Sequence, residues 1–267
     1  MTYRIFFEMK REPFAADVDL EHILVTPALK AVSERVHYAM NIGAMALVTG
    51  EIGSGKSTAL RYVTEKLHPS EYRPLYIVAT TGAIAELYRQ LLHALGAPMK
   101  GVSKAIMVQR IRDELHELVQ SKKLKTVLVI DEASLLRLEV FAELHTLTQF
   151  EKDSKPHLPI IFAGQANLVD SLMYRSSMPL ASRIVARSHL EGVSRGQMHE
   201  YLRHHLGICG VTHDIFDEAA VTAIHQGSGG LFRKANHLAR GAIIVAAKNK
   251  SMTVTADHVR TAATEIF

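Results

Sequence analysis

The hydrophobic residues of this chain follow two patterns, unbroken apolar runs in its earlier part and helical repeats along most of its length. Unbroken runs occupy residues 44–49, 75–79, 126–130 and 159–163, and a shorter run covers 184–186. Between the runs, apolar residues recur every three or four positions, as in the helix predicted over 28–40. Strands that are apolar throughout and alternate with helices are typical of a parallel sheet with both faces covered. The pattern therefore predicts a three-layer α/β fold.

Beyond about Ser194 the apolar positions show helical spacing alone. These repeats cover residues 198–206, 215–225, 231–248 and 256–266. We therefore predict an α/β domain with an N-terminal linker over residues 1–190, followed by a small all-α domain over residues 191–267.

The segment between the first apolar run and the next helix has the spacing of a phosphate-binding loop. Gly50 is followed by four residues and then by Gly55, Lys56 and Ser57, in the required context of strand, loop and helix. Glycines let the backbone N–H groups approach phosphate oxygens, and the helix N-terminus adds partial positive charge. Lys56 is expected to reach the β- and γ-phosphates of ATP, and the Ser57 hydroxyl to ligate Mg²⁺. The alternative, a glycine-rich turn without a ligand, is disfavoured by the flanking strand and helix.

The nucleotide-binding residues that this loop predicts form one continuous stretch. They are Gly50, Glu51, Ile52, Gly53, Ser54, Gly55, Lys56, Ser57 and Thr58.

Two acidic residues, Asp131 and Glu132, follow directly after the third apolar run. Ligands of parallel sheets bind at the carboxyl ends of the strands, so Asp131 is expected to hold Mg²⁺ and Glu132 to deprotonate the attacking water. Acids also favour solvated helix N-termini, which is the other explanation of this pair. The phosphate loop upstream favours the catalytic interpretation.

Later polar residues supply further candidates. Gln165 or Asn167, after the fourth run, would hydrogen-bond the attacking water or cap a helix. Arg233 in the helical part would reach the γ-phosphate or lie on the surface. Three more arginines precede that part, namely Arg175, Arg183 and Arg187. One of them would act as an arginine finger in the site of a neighbouring subunit, and at least two of the three are expected to be solvated surface residues.

Composition narrows the class of protein. Of 267 residues, 48% are hydrophobic and 22% charged, which is typical of a globular protein, and no apolar run approaches the roughly 20 residues of a membrane span. A single cysteine, Cys209, excludes an internal disulfide and fits the cytoplasm. The net charge of +4 permits a polyanionic partner without requiring one. The adjacent His204 and His205 point about 100° apart on a helix, so we assign no zinc site.

The order of these motifs resembles that of AAA+ ATPases. The resemblance rests on the phosphate loop, Val-Ile-Asp131-Glu132, Gly164-Gln165, Leu180-Ala-Ser-Arg183-Ile184 and Gly230-Leu-Phe-Arg233, and it extends over nearly the whole chain. It implies sensor 1 at Gln165, an arginine finger at Arg183 and sensor 2 at Arg233, which also joins the nucleotide-binding residues. It also implies ATP-dependent assembly of identical subunits, with each site completed by a neighbour.

The chain is more narrowly similar to the ExeA-like branch of AAA+ proteins. The similarity lies in Phe6-Phe7, Pro13-Phe14, Ala-Gly164-Gln165 and Gly-Leu-Phe-Arg233-Lys-Ala-Asn236. Phe232 is a departure, because the branch commonly has Pro before the sensor 2 arginine. The branch includes secretion-pathway A-type ATPases and the transposition helpers of the Mu B, IstB, TniB and TnsC types.

The two kinds of relative imply different partners. Secretion-type members generally continue into a membrane span and a periplasmic part, whereas this sequence stops at Phe267, so we expect a transposition helper without membrane contact. Such helpers form rings or helical filaments on duplex DNA and recruit a transposase or integrase. Their DNA contacts lie after the second strand, which nominates Lys100, Ser103 and Lys104. The alternative for these three residues is an ordinary solvated loop. The alternatives for the whole protein are a secretion-type ATPase without a DNA role and a nucleotide-dependent scaffold with negligible turnover.

Overall fold

A five-stranded parallel sheet forms the centre of the first unit of the protein. The computed structural model describes residues 2–98, 103–153 and 155–266. The strands are β1 (Met45–Gly50), β2 (Tyr72–Val78), β3 (Lys125–Asp131), β4 (Ile160–Gly164) and β5 (Ile184–Leu190). Their order across the sheet is β2-β3-β4-β1-β5, and every pair is parallel. The predicted three-layer α/β fold with a parallel sheet is confirmed.

Helices connect consecutive strands, as parallel pairing requires. Helix α2 (Pro27–Asn41) precedes β1. The connecting helices are α3 (Lys56–Glu65), α4 (Ile84–Leu95), α5 (Lys104–His116), α6 (Leu138–Leu147), α7 (Asn167–Met173) and α8 (Met178–Ala181). Helix α5 continues into a π-helical segment at Glu117–Ser121, so its hydrogen-bond pattern changes near its end.

The two central strands β3 and β4 are buried along nearly their whole length, which explains their unbroken apolar sequences. Leu128, Ile130 and Phe162 are each fully buried, and they join side chains of α4, α5 and α6 in one core. This packing fixes the carboxyl ends of the strands, where the acidic pair lies.

A second unit is helical. It comprises Met1–Thr26, Glu51–Gly55 and Glu191–Phe267, whereas Pro27–Gly50 and Lys56–Leu190 form the α/β unit. Its helices are α1 (Tyr3–Phe6), which begins the chain, α9 (Arg195–Ile208), α10 (Glu218–Ser228), α11 (Phe232–Lys248) and α12 (Ala256–Ile266).

The N-terminal stretch belongs to the core of this helical unit, whereas the sequence grouped it with the α/β domain. Phe7 and Phe14 are 1% and 2% exposed, and both pack with the buried residues of α9 to α12. Their burial in a separate hydrophobic core accounts for the difference, since no periodic pattern marks residues 1–25.

Candidate nucleotide-binding site

The phosphate loop consists of Glu51–Gly55, between the end of β1 and the start of α3. Gly53 and Gly55 have φ angles of +84° and +98°, which side chains other than glycine rarely adopt. A Cβ atom on Gly53 would also lie 2.7 Å from the Cβ of Arg233, within the helical unit. Both glycines are therefore required by the backbone path of the loop.

Lys56 is the first residue of α3, and its side chain turns back along the loop. Its Nζ donates a hydrogen bond to the Gly50 carbonyl oxygen at 2.9 Å, and the residue is only 6% exposed. Ser57 is exposed at the second position of the helix. The ammonium group and the hydroxyl are thus both at a helix N-terminus, where anions bind favourably.

The hydroxyl of Ser54 indicates that the loop is shaped for a ligand. Ser54 is 3% exposed, and its Oγ has no hydrogen-bond partner within the part of the chain that the structure describes. A buried hydroxyl without a partner is unfavourable. A phosphate oxygen or a water molecule in the loop would satisfy it.

Asp131 closes β3, and hydrogen bonds hold both of its carboxylate oxygens. Oδ1 accepts from the backbone N–H of Glu132 at 2.9 Å, and Oδ2 accepts from the Tyr76 hydroxyl at 2.7 Å. The residue is 4% exposed. Burial raises the pKa of the Tyr76 phenol well above its ordinary value, and the hydrogen bond to Asp131 and the charge of that carboxylate raise it further.

Glu132 has a left-handed backbone conformation, with φ at 52° and ψ at 32°. This conformation is unfavourable for residues other than glycine and asparagine, and it recurs at functional sites. It turns the chain out of the strand into a short 3₁₀ turn at Ala133–Leu135, so that the side chain of Glu132 is partly exposed.

The end of β4 carries Gln165 against that turn. A Cβ on Gly164 would lie 2.9 Å from the backbone N of Ser134, so only glycine permits this approach. The backbone N–H of Gln165 donates to Ser134 Oγ at 3.4 Å. Asn167 is the first residue of α7, and the N-cap position of that helix is occupied by Ala166 rather than by Gln165 or Asn167.

The sheet brings the ends of these three strands to one edge. Strand β4 lies between β1 and β3, with Thr49 opposite Gly164 and Ile130 opposite Phe162. The end of β1 at Gly50, the acidic pair after β3 and Gln165 after β4 therefore occur at the carboxyl edge of the α/β unit.

Arg183 lies just before β5, and its side chain is engaged in an ion pair. Its Nη2 contacts the two carboxylate oxygens of Asp153 at 2.6 and 2.7 Å, and Nη1 donates to Thr148 Oγ1 at 3.0 Å. Arg175 and Arg187 are exposed. The sequence did not indicate the pairing of Arg183, because Asp153 is 30 residues away.

Arg233 is the second residue of α11 and belongs to the helical unit. Its backbone N–H donates to the Gly53 carbonyl oxygen at 3.3 Å, and its side chain is exposed. The ring of Phe232 comes within 3.4 Å of the position that a Cβ on Gly55 would occupy, and it packs against Tyr201 with 4.6 Å between ring centroids.

One of the three nominated DNA contacts lies outside the residues that the structure describes. Lys100 is outside the described residues. Ser103 is exposed and precedes α5, and Lys104 Nζ forms an ion pair with Glu143 on α6. A phosphate contact by Lys104 would compete with Glu143.

The residues at the carboxyl edge fit a magnesium ion. Ser57 supplies a hydroxyl, and Asp131 supplies carboxylate oxygens whose second lone pairs are available to a metal-bound water. Mg²⁺ prefers such oxygen ligands and retains several waters.

Comparison with known proteins shows which proteins this chain is similar to. Residues 43–172 match the AAA domain family. General secretion pathway protein A of Aeromonas hydrophila is 28% identical over 266 residues, which cover 99% of this chain and 48% of that protein. The chain thus spans about half the length of this relative.

Solved structures show the same fold at low sequence identity. The crystal structure of Cdc6p from Pyrobaculum aerophilum aligns with a TM-score of 0.73 and 16% identity, covering 95% of this chain and 70% of that chain. The Orc1 protein of Aeropyrum pernix, in complex with DNA, aligns with a TM-score of 0.70 and 18% identity, covering 95% and 68%.

No helix within the described ranges has both the length and the apolar character needed to cross a membrane. The matched domain, the secretion relative and the shared fold agree with the loop, the acidic pair and the strand order described above. Residues 43–172 are therefore similar to an AAA domain, the chain is similar along nearly its whole length to a secretion pathway protein A, and its fold is that of the solved structures above.

Proposed function

We propose that the chain hydrolyses Mg-ATP in the cytoplasm and assembles with further copies of itself on duplex DNA. On the DNA it regulates or targets transposition by recruiting a transposase or integrase. The observation that carries the enzymatic part is the edge of the α/β unit that holds Gly50, the start of α3 at Lys56, the pair Asp131–Glu132 and Gln165. Positioning and electrostatic stabilisation supply most of the catalysis of phosphoryl transfer, and these groups provide both.

Each residue has a defined task in this mechanism. The Lys56 ammonium exchanges the Gly50 carbonyl for a phosphate oxygen, which is the stronger acceptor because it is charged. Ser57 and Asp131 would hold Mg²⁺, and a bound magnesium ion would neutralise charge on the phosphate oxygens. Glu132 takes a proton from the attacking water, and Gln165 orients that water. Arg183 of a neighbouring copy and Arg233 stabilise the charge on the γ-phosphate.

Exposed apolar side chains support assembly into larger complexes. Three such residues extend from the end of α7 to the start of α8: Met173, Tyr174 and Met178 are 68%, 56% and 55% exposed. Large apolar groups exposed together are typical of surfaces that a partner covers. Arg175 lies in the same segment, and Arg183 follows it.

The DNA part of the proposal is supported by charge and by fold. The net charge is +4, and the Orc1 protein of similar fold was solved in complex with DNA. Contacts from Lys100, Ser103 and Lys104 would reach phosphates rather than bases, so binding would depend on salt more than on sequence.

A second candidate is a secretion-pathway ATPase that acts on protein partners without a DNA role. The observation that favours it is that general secretion pathway protein A aligns with 99% of the length of this chain, at 28% identity. The two candidates share the nucleotide site and differ in the macromolecule that assembly engages.

Duplex DNA binding separates the candidates. Binding should be measured with ATP, with ADP and without nucleotide across a salt series, and the same samples imaged by negative stain. The Lys56→Ala variant is the matched control, because it removes the group that we expect to bind the phosphates. Binding in ATP alone, which weakens steeply with salt and is accompanied by rings or filaments, is the expected result. ATP hydrolysis without DNA binding at low salt would reject the DNA role and favour the secretion candidate.

A further inference from the structure

Tyr76 connects an edge strand of the sheet to the acidic pair. It lies on β2, opposite Val129 of β3, and Asp131 is two residues further along β3 on the same face. The side chain bridges this diagonal, and its hydroxyl donates to Asp131 Oδ2 at 2.7 Å.

The ring of Tyr76 contributes little to the hydrophobic core. The residue is 41% exposed, whereas its neighbours Leu75 and Ile77 on the opposite face are 1% and 4% exposed. An apolar or β-branched residue would therefore serve the strand equally well. The feature particular to tyrosine at this position is the hydroxyl, which meets a buried carboxylate.

The bond from Tyr76 restricts the rotation of the Asp131 carboxylate. The backbone N–H of Glu132 already holds Oδ1 at 2.9 Å, so the bond from Tyr76 to Oδ2 fixes the rotation of the carboxylate plane. Each oxygen accepts one hydrogen bond within the described part of the chain and has a second lone pair. Those lone pairs then point in set directions.

We propose that Tyr76 is a positioning residue for the magnesium site, holding Asp131 so that its remaining lone pairs face the waters of the metal ion. This inference rests on the proposed Mg-ATP hydrolysis. Tyr76 does not touch nucleotide or metal; it acts through Asp131. Fixing the acceptor before the metal arrives lowers the entropic cost of binding, as preorganised ligands do.

The test measures magnesium dependence of nucleotide binding rather than turnover. Binding of a fluorescent ATP analogue is followed while Mg²⁺ is titrated against wild type, Tyr76→Phe, Asp131→Asn and the double variant. Tyr72→Phe is the matched control, since Tyr72 lies on the same strand and its hydroxyl donates to Asn41 Oδ1 at 3.1 Å. Binding of the analogue in EDTA gives the affinity without metal.

We expect Tyr76→Phe to raise the Mg²⁺ concentration at half-saturation by about ten- to 100-fold, as the loss of a hydrogen bond that orients a metal-binding carboxylate should. Affinity in EDTA should stay unchanged, as should every value for Tyr72→Phe. The double variant should be no weaker in Mg²⁺ than Asp131→Asn, because Tyr76 acts through that carboxylate.

The other outcomes distinguish the two proposals. If Asp131→Asn shifts the Mg²⁺ midpoint and Tyr76→Phe does not, the role of Tyr76 is rejected and the magnesium site stands. If Asp131→Asn also leaves the midpoint unchanged, the metal assignment of Asp131 fails and the role of Tyr76 fails with it. A Tyr76→Phe effect equal in EDTA and in Mg²⁺ would indicate a merely structural role.

Discussion

Glu132 is held in an unfavourable backbone conformation beside a carboxylate that stabilises it. Its left-handed φ of 52° is of a kind that costs on the order of 1 kcal/mol or more, and the Oδ1 of Asp131 accepts its N–H at 2.9 Å. The two acids are therefore one unit, in which the residue that we propose to bind the metal also fixes the backbone of the proposed general base. A change of side chain at Glu132 that keeps its length should leave this backbone arrangement intact.

Glu132→Gln tests the general base. The amide keeps the size of the side chain and loses its proton affinity, so turnover should fall by about 100-fold or more while ATP binding persists. Assembled complexes should then accumulate in ATP, which size-exclusion chromatography would detect. Glu139→Gln, an exposed residue of α6, is the control and should behave as wild type. Turnover at the wild-type rate in Glu132→Gln would exclude Glu132 as the base.

Residues of the site were predictable where the chemistry is local in sequence. Gly50 to Ser57 and Asp131–Glu132 depend on spacing within a few residues of a strand end. The contacts of Tyr76 and Arg183 were not, because each depends on strand register or on a loop distant in the chain, Asp131 being 55 residues from Tyr76. A single sequence contains no information that sets such a pairing directly.

Helix α9 contains a buried histidine whose protonation opposes folding. Burial lowers the pKa of His205 from 6.5 to about 4, and the neighbouring His204 adds to this effect. The ring stacks on Phe14 and lies 4.4 Å from the ring of Tyr201, between centroids. The helical unit therefore folds around a neutral imidazole.

Acid should destabilise the helical unit through His205. The unfolded chain takes up a proton below pH 6.5 that the folded chain accepts only near pH 4, so stability is full above 6.5 and falls as the pH decreases towards 4. The loss should reach about 2 kcal/mol at pH 5. Thermal unfolding at pH 7 and pH 5 measures it. His205→Phe should remove this part of the decrease and His199→Gln, on the same helix, should keep it; an unchanged decrease in His205→Phe would contradict the assignment.

Whole elements were predictable to the extent that burial shaped their sequences. The strands β3 and β4 are buried on both faces and were predicted nearly to their ends. Strand β5 lies at an edge, where buried and exposed positions alternate from Ile184 to Leu190, so only its first residues formed an apolar run. The short helices α7 and α8 contain too few residues to show a period.

At the scale of the assembly, the proposed trans action of Arg183 predicts complementation. Arg183→Ala should lose hydrolysis while each protomer still binds ATP. Mixing it with Lys56→Ala should restore part of the activity, because the second variant supplies the arginine to intact nucleotide sites of the first. Steady-state ATPase assays of the single variants and the mixture measure this.

Asp153→Ala separates the arginine's proposed role from its structural one. Arg183 is paired with Asp153 in the protomer, so a purely structural arginine would make the two alanine variants equally defective. A finger acting in trans would leave Asp153→Ala active, since removing the carboxylate frees the guanidinium. A mixture that never recovers activity would count against trans action, and Arg175 and Arg187 would then be substituted in the same assay.

The helical unit joins the two ends of the chain, and this has a consequence for synthesis on the ribosome. Residues 1–26 leave the ribosome first, yet Phe7 and Phe14 pack with residues that follow Glu191. At bacterial or eukaryotic elongation rates the intervening 165 or so residues take roughly 10–30 s to translate. At the end of that interval the α/β unit has its whole sequence and can fold, whereas Phe7 and Phe14 of the N-terminal segment still have no partner. Nascent chains should therefore depend on a chaperone for this segment until the residues that follow Glu191 have left the ribosome.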